Sequence, residues 1–171
     1  MEIDILPLEN EEKVPKALLK ELAALLAKRD IKTRILKAEK LPKTAWEKAR
    51  GQYDAHKVLA TINERGVLAI TGADIFEDGL NFVYGLGNTE GSAIVSAFRL
   101  RPEFYGEKKN ETLLIERLAK ECMHEVGHTL GMKHCTNQTG GKPCAMAFNT
   151  NIHDVDAKSD RFCAEHAKLL E

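Results

Sequence analysis

Apolar positions fall into short alternating or helical runs along the chain, and these predict a mixed succession of strands and helices. Ile3 and Ile5 alternate with Glu2 and Asp4, a short strand pattern. Pro15 sits where a first helical turn tolerates it, and Leu18, Leu22, Leu25 and Leu26 then mark one face of a helix reaching about Arg29. Ile31 to Leu36 reads as a second strand, with a break at Leu41-Pro42. A second helix is expected from Thr44 to Arg65, with Val58, Leu59 and Ile62 inward, Gly51 as a weak point and Gly66 as its C-cap. Val67 to Ile70 is apolar enough for a central strand. Asn81 to Leu86 and Ala93 to Leu100 are read as two further strands around the turn Gly87-Asn88-Thr89-Glu90-Gly91. A long helix is predicted from its N-cap Asn110 to about Leu130, then irregular chain, then a short helical tail from Ala164 to Leu170. The pattern is that of an α/β chain of one domain over residues 1–171, with a small C-terminal lobe.

Composition narrows the classes. Twenty-five Lys and Arg stand against 26 Asp and Glu, for a net charge of −1, which argues against a nucleic-acid partner. No apolar run approaches the ~18 residues of a membrane span, and the acidic N-terminus MEIDILPLENEEK is unlike a signal peptide. No membrane partner and a cytoplasmic address are therefore expected; oligomeric state is not readable. All four cysteines (Cys122, Cys135, Cys144, Cys163) lie in the last 50 residues, among most of the histidines. In a chain with reduced thiols such a cluster reads as metal-binding rather than as disulfides.

The chemistry concentrates in His124-Glu125-Val126-Gly127-His128-Thr129-Leu130-Gly131-Met132-Lys133-His134. Four residues apart on a helix, His124 and His128 project from one face and can share a zinc ion. Glu125 is offset around the axis, suited to take a proton from a water on that metal. Gly131 lets the chain leave the helix by a left-handed turn and bring His134 back as third ligand. Cys122 falls on the apolar stripe with Leu118, Val126 and Leu130, about 200° from His124, and reads as a buried core thiol.

This HExxHxxGxxH pattern resembles the zinc motif of the metzincin metallopeptidases, and Cys135 directly after the third histidine is similar to the archaemetzincins in particular. Cys144-Ala145-Met146 and the segment Asn149 to Phe162 continue the likeness. Upstream, so do Arg50-Gly51-Gln52-Tyr53, Gly79-Leu80-Asn81-Phe82-Val83-Tyr84-Gly85 and Val95-Ser96-Ala97-Phe98-Arg99-Leu100. The chain departs in two places. Eight residues, Thr136 to Pro143, follow Cys135 where the family has fewer, and His166 replaces the last cysteine. The resemblance implies a metzincin-like fold with a twisted, mixed five-stranded sheet packed on helices and the active-site helix beneath it. Residues 1–134 would form the N-terminal subdomain, and 135–171 a lobe carrying the Met-turn methionine Met146 and a structural zinc.

Two zinc ions per chain follow from sorting the ligands: an open catalytic one on His124, His128 and His134, and a closed one on Cys135, Cys144, Cys163 and His166. Cys122 and His153 compete with His166 for the last position. His56 reads as structural or exposed. Phe148 stands where some metzincins carry a tyrosine, so an oxyanion stabiliser must come from elsewhere, Tyr84 being one guess. The expected activity is peptide hydrolysis with Glu125 as general base, on short peptides or free termini, with Asn81 to Leu86 as the edge strand that pairs with the substrate. The alternatives are a catalytically silent peptide-binding protein on the same scaffold and, less well matched to the charge, a zinc-stapled nucleic-acid module.

Overall fold

Strand β1 (Glu2–Glu9) buries Ile3, Ile5, Leu6 and Leu8, because it runs inside a sheet with a helix layer on each side. The structure, a computed structural model, describes residues 1–170. Helix α1 (Lys16–Ala27) turns Leu18, Leu19, Leu22 and Leu26 inward. Strands β2 (Lys32–Ile35) and β3 (Glu39–Lys40) both lie parallel to β1.

The helix expected over Thr44 to Arg65 does not form. In its place stand β4 (Trp46–Glu47), β5 (Gln52–Asp54) and a short α2 (Ala55–Leu59). Gly51 at φ +66° turns the chain back, Trp46 pairs with Tyr53, and their rings meet at a tilt with centroids 4.9 Å apart. Asp54 then caps α2, its side chain accepting from the Lys57 N–H. Gly66 is left-handed at φ +73°, but it closes a loop onto β1 rather than a long helix.

Strands β6 (Val67–Thr71), β7 (Ile75–Phe76), β8 (Gly85–Gly87) and β9 (Ser92–Ser96) follow. The main sheet has six strands where five were expected: its order is β2-β1-β6-β9-β8 with β3 also paired to β1, and it is parallel throughout except for β8, which runs antiparallel to β9 at one edge. All residues of β6 and β9 are buried, as central strands covered on both faces must be. The edge strand is shorter and later than Asn81 to Leu86. The stretch before it bends because Val83 donates back to Ile75, on the small sheet formed by β4, β5 and β7.

Helix α3 (Glu111–Thr129) packs under the main sheet, with Leu118, Cys122 and Val126 against α1 and the sheet face. Asn110 caps it by accepting from Leu113 N–H. Its end is a Schellman turn: Gly131 at φ +80°, Gly131 N–H to His128 O and Met132 N–H to Gly127 O. Beyond it, β10 (Gln138–Thr139) and β11 (Lys142–Pro143) fold the segment Thr136 to Pro143 into a hairpin. Gly140 and Gly141 supply the two positive φ values that such a two-residue turn needs. Helices α4 (Ile152–Ala157) and α5 (Ala164–Ala167) complete the lobe. Arg117 grips Asp156 through two bonds of 2.7 Å, and Arg29 pairs with Asp160, so the lobe is pinned to α3 and α1.

Candidate metal centres

The Schellman turn returns His134 to the helix face that carries His124 and His128. Their three Nε2 atoms form a triangle with sides of 3.1, 3.1 and 3.2 Å. His124 Nδ1 bonds Ala145 O at 2.7 Å and His128 Nδ1 bonds Met132 O at 3.0 Å. A carbonyl accepts only, so both rings donate through Nδ1 and turn a bare Nε2 lone pair toward the centre. Burial lowers the pKa of all three imidazoles, that of His124 furthest, which keeps them neutral. Lone pairs converging at this spacing repel one another unless a cation sits among them. Nitrogens at ~2.0–2.1 Å from one tetrahedral zinc stand about 3.3 Å apart, so the triangle fits that ion closely.

Cys135, Cys144, Cys163 and His166 form a second cluster, with the three Sγ atoms 3.6, 3.7 and 3.7 Å from His166 Nδ1. Sulfur at ~2.3 Å and nitrogen at ~2.05 Å from a tetrahedral zinc would be about 3.55 Å apart, again close to what is seen. Backbone N–H groups of Met146 and Cys163 donate to Cys144 Sγ at 3.4 and 3.2 Å, and Asn137 Nδ2 donates to Cys163 Sγ at 3.6 Å. Donors of this kind suit thiolates. Three members of the cluster are buried, so it is closed where the histidine triangle is open. Cys122 is fully buried in the core and belongs to neither group, and burial raises its thiol pKa. His153 is exposed and also outside both. His56 lies on the surface beside Glu77 at 3.0 Å.

Glu125 lines a cleft of about 580 Å³ together with the three histidines, Phe148 and the segment Leu80 to Gly87. Burial pushes its carboxyl well up, the neighbouring Glu121 adds to the shift, and a bond from the Gly87 backbone opposes it. Two glycines of β8 make this closeness possible. A Cβ on Gly85 would stand 2.6 Å from Glu125 Cγ, and one on Gly87 would stand 2.5 Å from Glu125 O. Gly127 does the same on the other side of α3, where a Cβ would lie 2.2 Å from Met146 Sδ. Met146 is wholly buried and supports the helix turn between the two histidines. Phe148 is 63% exposed, its ring 5.0 Å from that of His134. Tyr84 lines the cleft, but its hydroxyl is joined to Tyr105 Oη at 3.3 Å, and burial raises its phenol pKa.

One feature has no local signal in the sequence. Lys158, with no exposed surface, reaches to 2.8 Å from Glu121 Oε1 on α3, off the hydrogen-bond direction, so that charge alone holds the pair. Asn149 donates to the same oxygen at 3.0 Å. The alternating glycines 85 and 87, by contrast, do carry the mark of a close backbone approach.

The chain matches the model of peptidase family M54 over residues 8–171. It is 42% identical to the archaemetzincin of Methanocaldococcus jannaschii over 134 residues, 77% of this chain and 73% of that protein. With the archaemetzincin of Saccharolobus solfataricus it shares 37% identity over 166 residues, 92% and 88% of the two chains. The crystal structure of the Archaeoglobus fulgidus archaemetzincin complexed with malonate superposes with a TM-score of 0.85 at 33% identity, covering 99% of both chains. A zinc-dependent peptidase from Methanocorpusculum labreanum gives 0.84 at 28% identity, covering 98% and 100%.

Proposed function

Because the chain belongs to peptidase family M54, the archaemetzincins, and is a zinc metallopeptidase, we propose that it hydrolyses short peptides or free peptide termini, with Glu125 as general base. The reading assigns two zinc ions per chain: one to His124, His128 and His134, the other to Cys135, Cys144, Cys163 and His166. Bound at the open centre, zinc supplies Lewis-acid polarisation of the scissile carbonyl and makes water easier to deprotonate. The closed centre has no free position and serves structure.

The observation that carries the reading is the triangle of three Nε2 atoms, two of them left bare by their Nδ1–carbonyl bonds, with a buried carboxylate beside it in one cleft. Glu125 precedes Val126 and follows His124 on α3, so helix geometry fixes its carboxylate next to the open centre. There it accepts a proton from the attacking water at a carboxylate oxygen and passes it to the departing amine. β8 ends the main sheet, and its outer backbone edge is open to pair with an extended peptide laid along the cleft. Phe148, at the rim, can pack against a substrate side chain but donates no hydrogen bond. Among the described residues, no helix is long and apolar enough to cross a membrane.

The test is turnover of a mixed peptide library by zinc-loaded protein, read by mass spectrometry, with Glu125→Ala alongside. Cleavage by the parent, none by the variant and equal zinc in both are expected. Equal turnover by the two would remove Glu125 from its role, and no cleavage by either would leave the cleft a peptide-binding surface.

A further inference from the structure

Of the segments that resemble the family, Arg50–Tyr53, Gly79–Gly85 and Val95–Leu100 supply none of the metal-cluster residues, yet the fold joins all three in one polar network. Arg50 Nη2 donates to Leu80 O at 2.6 Å and Asn81 O at 3.1 Å, while its Nε donates to Gln52 Oε1 at 3.0 Å. The Arg50 guanidinium lies 4.0 Å over the Phe76 ring. Gln52, 5% exposed, donates through Nε2 to Asn81 O and to Asp74 Oδ2, both at 3.0 Å. Asp74 in turn takes Arg99 through two bonds of 2.8 and 2.7 Å, and Arg99 lies 4.3 Å over Phe82. The three residues held, Leu80, Asn81 and Phe82, line the cleft, whereas the four that hold them do not.

We propose that Arg50, Gln52, Asp74 and Arg99 are positioning residues that clamp the cleft rim Leu80–Phe82 and so select a substrate with an apolar side chain at that end. The Asn81 carbonyl, with two donors, is fully used by the clamp, and the Leu80 carbonyl is turned toward Arg50, so neither is aimed at a peptide backbone. What the rim presents instead is apolar: Leu80, half exposed, and Phe82, its ring fixed between Arg99 and Tyr84. Pairing with the peptide backbone is thereby confined to the β8 end of the cleft. The proposal rests on the peptide-hydrolase reading and names the class of peptide it takes.

The experiment compares parent, Arg50→Met, Arg50→Lys and Gln52→Leu on matched peptides carrying leucine or serine at each position. Arg50→Met is expected to raise KM for the leucine peptide about tenfold, the effect of losing one charge-assisted contact, with kcat within twofold and metal content unchanged. Arg50→Lys should recover part of that loss, which a general loss of folding would not allow. Should Gln52→Leu prove unstable, Arg50→Met carries the reading alone. An unchanged KM, an equal rise for leucine and serine peptides, or a fall in metal content alongside the rise would overturn the clamp. Calorimetric binding of the same peptides to zinc-loaded protein is measured in parallel, so that a parent that cleaves nothing refutes only the hydrolase reading. A leucine preference in Kd that falls about tenfold in Arg50→Met supports the clamp, and equal Kd values overturn it.

Discussion

Replacing Gly87 by alanine tests whether the edge strand must lie flush against the active-site helix. The backbone at Gly87 is not left-handed, so alanine suffers no conformational strain and the whole cost is steric. Its Cβ would stand 2.5 Å from Glu125 O and 3.0 Å from His128 Cβ. The nearer of these is backbone and cannot swing aside. Ordinary contact requires β8 and α3 to part by about 0.9–1.5 Å. Overpacking of this kind costs about 1–3 kcal/mol, roughly 2–12 °C in Tm for a chain of this size. Function should suffer more than stability, since Glu125 and the pairing edge then lose register, and a shift near 1 Å costs up to ~100-fold in rate. The assay is kcat/KM on a cleaved peptide, with zinc content and Tm measured on the same preparation. Turnover within twofold of the parent, both metals being retained, would show that the strand has slack and refute the reasoning.

Lys158→Met should destabilise zinc-loaded protein by about 3–5 kcal/mol, because it leaves Glu121 buried without its counter-charge. Glu121→Gln added to it should restore most of that loss in urea unfolding; a single-variant cost below ~1 kcal/mol would contradict the pairing. Cys163→Ser should lose one zinc per chain and hydrogen-exchange protection from Cys135 onward, with β1, β6 and β9 still protected. A uniform loss along the chain would not fit a closed centre confined to the lobe. Burial raises the folded Glu125 pKa above the ordinary 4.5, so the folded state holds a proton that the unfolded chain has released. With the open centre emptied by mild chelation, Glu125 therefore contributes a fall in stability as pH rises from that value toward the raised one, against the rise contributed by His124, His128 and His134, whose folded pKa values are lowered. Glu125→Gln should make stability rise more steeply with pH than in the parent, and Tm curves of the two that stay parallel between pH ~5 and ~8 would exclude it.

What the sequence revealed was whatever local geometry decides. Helical spacing put His124, Glu125 and His128 on one turn, and Gly131 announced the return of His134. Whether Cys122, His153 or His166 would join the other thiols depended on where α5 docks, and the structure brings His166 there. The helix expected over Thr44 to Arg65 failed because its fate is settled at a distance: β5 pairs with β7, more than 20 residues on, and Gly51 lets the chain double back to meet it. The edge strand slid toward Gly87 for a similar reason, since apolar content suggested Asn81 to Leu86 while contact with Glu125 demanded glycine. Glu121 and Lys158 stand 37 positions apart, and no pattern in either neighbourhood pointed to the other.

The two centres are joined by more than the peptide bond between His134 and Cys135. Cys135 N–H donates to Met146 O at 3.2 Å, fixing the third histidine relative to the methionine under α3. Cys144 lies one residue before Ala145, whose carbonyl orients His124, and two before Met146, whose sulfur fills the space that Gly127 leaves. Thus two members of the closed cluster neighbour groups that set the open one, and the closed cluster is the more buried of the two. A chelator of graded strength should strip the open centre first and leave the lobe protected against exchange; stronger chelation should then release the second metal and unfold the lobe. Because His134 and the support of His124 go with it, the open centre should not refill until the closed one has. Metal-content titration followed by exchange at each step reads the order, and a filled histidine centre beside an empty cysteine centre would contradict the coupling.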